Sequence, residues 1–85
     1  MQSDVFSTVV QRLHSHLPQP ATDLRIKADS DLQNDLGLDS LGLATVATDL
    51  QSTLDFDLQY FAENIGEIRL VSDLVRIVEE ALIKR

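Results

Sequence analysis

Apolar residues three and four positions apart mark three separate stretches of this sequence as amphipathic helices, and such helices are stable only when their stripes are buried against one another. In residues 4 to 17 the stripe is Val5, Phe6, Val9, Val10, Leu13 and Leu17, with Ser3 or Asp4 near its start. Pro18 and Pro20 end this helix, because proline lacks the N–H of a helix ladder and keeps its predecessor out of helical geometry. The second stretch runs from Ser40 to Leu54 on Leu43, Val46, Ala47, Leu50 and Leu54, with Leu41 and Ala44 on a neighbouring stripe. Gly42 weakens its first turn by roughly 1 kcal/mol against alanine, so Asp39 or Ser40 is expected as N-cap. The last helix is expected to be capped by Ser72 and to bury Leu74, Val75, Ile77, Val78, Ala81 and Leu82, with Lys84 and Arg85 suited to its C-terminal dipole.

Two connections remain. Residues 55 to 58 break the helical period, and 59 to 65 leave room for one short helix, anchored by Tyr60 and Phe61 and closed by Gly66 in the left-handed conformation. From Pro18 to Asp39 there is no clear period, and so long a connection is either disordered or a packed, functional loop. Leu24, Ile26, Leu32, Leu36 and Leu38 favour the packed form, with a helical turn near Leu32, since a solvated linker has no use for five large aliphatic residues. The expected fold is an all-α four-helix bundle with a long loop between helices 1 and 2 and a short helix 3, residues 1–85 forming a single domain.

A bundle of 85 residues has a modest core but no room for a deep substrate cleft with a full catalytic apparatus. Without cysteine it has no disulfide or thiolate metal site, and any thiol chemistry must be imported. The net charge of −7 argues against nucleic acid and against an anionic membrane as partners, and no apolar run is long enough to cross a bilayer. Met1 is followed by a mixed segment with no basic and apolar leader pattern, so the cytoplasm is the expected location. His14 and His16 lie two apart on a helix, point in different directions, and are expected to be surface residues rather than metal ligands. The acidic run from Asp29 to Asp35 fails as a calcium loop: its sixth position is Asn34 instead of glycine and its twelfth is Ser40 instead of glutamate. With no phosphate cradle and no nucleophilic triad on a scaffold, independent catalysis is not expected.

What remains is Leu36-Gly37-Leu38-Asp39-Ser40-Leu41. Helix capping alone accounts for an Asp-Ser pair, but Leu-Gly-x-Asp-Ser-Leu arises by chance in only about one in several thousand chains of this length. The run Asp35-Leu36-Gly37-Leu38-Asp39-Ser40-Leu41 after a long loop, the helix to Leu54, Asp55-Phe56-Asp57-Leu58, the short third helix, and Val71-Ser72-Asp73-Leu74-Val75 together resemble the acyl carrier proteins over nearly the whole chain.

The resemblance implies that Ser40 is where a phosphopantetheinyl transferase attaches 4′-phosphopantetheine from coenzyme A, with magnesium held in the transferase complex. A helix N-terminus favours the phosphodiester so formed. It further implies that Asp39 both caps the helix and meets the transferase, that Leu41 stays partly exposed for partners, and that Gly37 permits close backbone approach while Leu36 and Leu38 tether the loop. The arm's thiol holds acyl groups as thioesters, and apolar cargo is expected to fold back between helices two and three along Val46, Ala47, Leu50 and Ile65. Ala44 and Ala47 are small for such positions, which makes the slot roomy.

One departure bears on partners. Where the family's fatty-acid members present acids along helix two, this chain has Gly42, Thr45, Gln51 and Ser52, leaving only Asp39 and Asp49 charged there. The resemblance therefore implies a specialised stand-alone carrier in fatty-acid or related lipid biosynthesis, a monomer served by loading and processing enzymes with basic or apolar docking patches. A polyketide or aminoacyl carrier shares the arm and differs in cargo. An unmodified helical interaction module, with Ser40 only capping, is the reading of a different class.

Overall fold

The computed structural model describes residues 2–16 and 26–84. Among them are four α-helices, α1 (Gln2–His16), α2 (Ser40–Leu54), α3 (Leu58–Glu63) and α4 (Val71–Lys84), with one 3-10 turn, Ile65–Glu67, after α3. Leu17, Pro18, Pro20, Leu24 and Arg85 lie outside the described residues, as do the side chains of Ser3, Asp4 and Lys84.

The helical stripes read from the sequence supply the core, except that Val10 and Leu82 are only half-buried. Val9 and Leu13 of α1, Leu43, Val46, Ala47 and Leu50 of α2, and Val71, Leu74, Val75, Ile77, Val78 and Ala81 of α4 are buried, and Val5, Phe6 and Leu54 pack at its edge. Full burial of one such aliphatic side chain contributes about 1.5–3 kcal/mol. α1 packs on α2 and α4, while α3 lies against α4 and α2. Buried Phe56 and Phe61 bring their rings to 5.6 Å, and the Asp57 N–H donates to Ala81 O at 3.1 Å, so both ends of the second connection are tied into the bundle.

The long loop is packed where it is described. Leu32, Leu36 and Leu38 are buried and Ile26 rests on the core. Around Leu32 the chain makes a hydrogen-bonded turn over 31–36, with Asp35 N–H donating to Asp31 O at 2.9 Å. The Asp31 carboxylate accepts the Gln33 and Asn34 amides, and Asp35 accepts the Asp31 amide. The acids of this run therefore serve its own backbone, and the described residues contain no cluster able to hold a metal.

Four expectations are corrected. Gly66 does not terminate α3 in the left-handed region; it lies inside the 3-10 turn, and positive φ occurs instead at Asp55 (54°), which ends α2, and at Gly37 (75°). α3 begins one residue earlier than expected, because the Asp57 carboxylate accepts the Gln59 and Tyr60 amides and so starts a helix from Leu58. Ser72 is not the cap of α4. It lies inside the first turn, where its N–H donates to Ala28 O, and Asp73 instead reaches back to accept the Arg69 and Leu70 amides. His14 is exposed as expected, but His16 is half-buried, with Nε2 2.8 Å from Asp49 Oδ2 on α2. α1 thus grips α2 through an acid that the sequence alone leaves at the surface.

Candidate functional site

The turn over 31–36 closes with Gly37 N–H donating to Gln33 O and Leu38 N–H to Leu32 O, which buries Leu36 and Leu38 in the core and leaves Gly37, Asp39 and Ser40 exposed. At φ 75° Gly37 occupies a region that costs an L-residue about 1–2 kcal/mol, so glycine here is a backbone requirement rather than a spacer. Asp39 is extended (φ −93°, ψ −172°) and its Oδ1 accepts the Gly42 amide at 2.8 Å, which makes it, and not Ser40, the N-cap. A Cβ on Gly42 would stand 3.1 Å from Leu38 Cδ2 and 3.4 Å from Asp39 Oδ1, so this glycine lets the helix settle on both. Ser40 opens α2 with its side chain exposed, and Leu41 beside it is 76% exposed despite its size.

Two backbone donors follow from this geometry. Asp39 satisfies Gly42, and Leu43 N–H donates to Asp39 O at 2.9 Å, whereas the amides of Ser40 and Leu41 precede the first intrahelical bond. Beside them is a cavity of about 340 Å³ lined by Leu32, Gln33, Leu38, Asp39, Ser40, Leu43, Ile65, Gly66, Ile68 and Arg69. Of the expected slot residues only Ile65 borders it. Val46, Ala47 and Leu50 are packed in the core. Ile68 and Arg69 enter the site because Leu32 N–H donates to Arg69 O and Val71 N–H to Ser30 O, both at 2.9 Å, which lays the start of α4 along the loop. No spacing in the sequence signals that approach.

Charge around the site is uneven. Hydrogen bonds from the Asn34 backbone first, with Gln33 and the nearby Arg69 charge adding, hold the Asp31 carboxyl below its usual range. Asp73 is lowered in the same way by the Leu70 amide first, with Arg69 and Arg76 adding. On α2, Asp49 is engaged by His16 and by Arg12 at 3.9 Å, and Thr45 and Thr48 return their hydroxyls to the carbonyls of Leu41 and Ala44. The exposed face of α2 is therefore close to neutral on a strongly acidic chain.

A family profile described as a phosphopantetheine attachment site matches residues 7–60, a span that contains the loop, Asp39-Ser40-Leu41 and α2. A curated acyl carrier protein from Coprothermobacter proteolyticus is 34% identical over 76 residues, which cover 87% of this chain and 90% of that protein. The chain belongs to the acyl carrier protein family. No solved structure gives a significant match.

The protein is a carrier and not a catalyst, and its prosthetic group is covalent 4′-phosphopantetheine. The described residues of the site fit that group: an exposed primary hydroxyl, two open amides for a phosphodiester, and a recess edged by the Arg69 guanidinium. When bound, the group supplies a thiol that the cysteine-free chain lacks. With the group attached at Ser40, the chain's own residues would present the hydroxyl at the Asp39-capped start of α2 and would place positive backbone dipole beside the phosphate. Among the described residues no helix is long and apolar enough to cross a membrane.

Proposed function

We propose that the carrier holds acyl intermediates as thioesters on an arm attached at Ser40, in fatty-acid or related lipid biosynthesis in the cytoplasm. The observation that carries this reading is the exposed Ser40 hydroxyl at the capped start of α2, opening beside a cavity within the span matched by the family profile. In the loading step Ser40 Oγ gives its proton to the transferase and takes the phosphopantetheinyl group from coenzyme A, which leaves as the adenosine bisphosphate. Intact mass tests it: incubation with coenzyme A, magnesium and a broad-specificity phosphopantetheinyl transferase adds one phosphopantetheine, and Ser40→Ala adds none. A Ser40→Ala protein that still gains the group would move the attachment elsewhere.

The neutral face of α2 supports a specialised partner set. Asp39 is spent on its cap and Asp49 on α1, so Leu41, Ala44, Thr45 and Thr48 meet a partner as a weakly polar surface. Enzymes that find carriers through a basic patch gain little long-range attraction from it, and encounter rate is where charge complementarity acts most. Thr45→Glu with Gln51→Glu is expected to speed loading by a generic malonyl transferase several-fold at low salt. Gly42 is left unchanged in this test because a side chain there meets Leu38 and the cap. An unaltered rate would reject the role assigned to this face.

A further inference from the structure

We propose that Arg69 is the positioning residue for the prosthetic arm, pairing with the phosphodiester once Ser40 is modified; this rests on the reading of Ser40 given above. Among the described residues, Arg69 is the sole basic one lining the cavity that Ser40 borders. The other cations with described side chains do not line it: Arg12 pairs with Asp49, Arg76 with Asp73 and Glu80, and Lys27 is exposed. Arg69 itself has no ion pair within 4 Å among the described residues, and it acts on Asp31 and Asp73 only from a distance.

Its backbone is nevertheless fixed. The Arg69 N–H donates to Asp73 Oδ2 at 3.2 Å and its carbonyl accepts the Leu32 amide at 2.9 Å, so the side chain is exposed from an anchored stem at the edge of the recess. Modification of Ser40 places one further negative charge next to Asp39 on a chain that already carries a net charge of −7. The cap has already taken the Gly42 amide, which leaves the phosphodiester the Ser40 and Leu41 amides. A guanidinium is the donor that matches phosphate oxygens in shape and charge, and it offsets the repulsion that Asp39 imposes. The arm held in this way leaves Ser40 over the recess bordered by Leu43, Ile65 and Ile68, and not along the exposed face of α2.

The test compares apo and phosphopantetheinylated forms of the wild type, Arg69→Gln, Arg69→Lys and, as control, Lys27→Gln, each with its mass increment verified. Urea unfolding gives the change in the folding constant on modification, and phosphorus NMR reads the diester directly. Loss of the Arg69 charge is expected to lower the holo-to-apo ratio of folding constants about two- to fivefold at low salt, the range of a partly exposed ion pair. It should also shift the phosphorus resonance, both effects fading as salt screens the pair. Arg69→Lys retains part of both and Lys27→Gln leaves both unchanged. Because each variant is compared with its own apo form, any contribution of Arg69 to the Asp31 and Asp73 fields cancels. Equal ratios and an unmoved resonance in Arg69→Gln, with full mass increments, would overturn the pairing while leaving Ser40 in place. Absence of the increment from wild-type protein would remove the Ser40 reading and the pairing together.

Discussion

The N-termini of α2 and α4 each use one aspartate, yet one end is left open and the other is sewn shut. Asp39 stands before α2 and accepts a single amide inside the helix, so the first two amides and the Ser40 hydroxyl remain available beside the cavity. Asp73 stands inside the first turn of α4 and accepts the two amides that precede it, while Val71 and Ser72 donate to the loop carbonyls of Ser30 and Ala28. The position of the carboxylate relative to the helix start decides the outcome. An acid placed before the helix leaves its first amides open to a new anion, whereas one placed within it holds the preceding turn, and there the loop carbonyls of Ser30 and Ala28 take the helix's first donors.

The largest way to break this contrast is to loosen that loop. Leu36→Ala removes a side chain that is 4% exposed and should cost about 2–5 kcal/mol, read as a lower urea midpoint for the whole bundle. A midpoint within error of wild type would show that the loop packs without contributing to the core.

The two caps should separate next. Asp73→Ala is expected to cost about 1–2 kcal/mol and to speed amide exchange at Leu32 and Val71, because it frees the strip that holds the loop. Asp39→Ala should cost about 1 kcal/mol and leave those amides protected, since its bond lies wholly at the start of α2. Equal exchange in the two variants would erase the distinction between an open and a closed end.

Acid provides the finest test. Asp31 and Asp73 titrate below the ordinary aspartate value of 3.8 in the folded chain, chiefly through backbone hydrogen bonds. Groups lowered in this way stabilise the fold fully above the unfolded value, and that contribution is lost as pH falls through the lower folded values. Asp73→Asn should therefore lower stability near neutrality and flatten its decline in acid, measured as urea midpoints across the acid limb. A parallel decline in wild type and variant would mean that Asp73 gains nothing from its amides.

Helical stripes were legible in the sequence because an α-helix brings together residues three and four apart, so Val9 with Leu13 and Leu43 with Val46, Ala47 and Leu50 report their burial locally. The leucines of the long connection were legible for a similar reason: aliphatic area at Leu32, Leu36 and Leu38 has to be covered. Gly66 and Ser72 misled because each is a frequent terminator or cap by residue type, while hydrogen bonds already available from Asn64, Asp57 and Asp73 set the actual boundaries. His16 misled because its partner lies on another helix.

By itself, then, the sequence determined the four helices, the serine at the head of the second, and the scarcity of acids along that helix, all of which depend on near neighbours in the chain. Only the tertiary structure decided which acids remain free for a partner, where a recess opens beside Ser40, and that Arg69 borders it. Those outcomes turn on which helix faces meet and on hydrogen bonds between the loop and the start of α4, distances that no periodicity encodes.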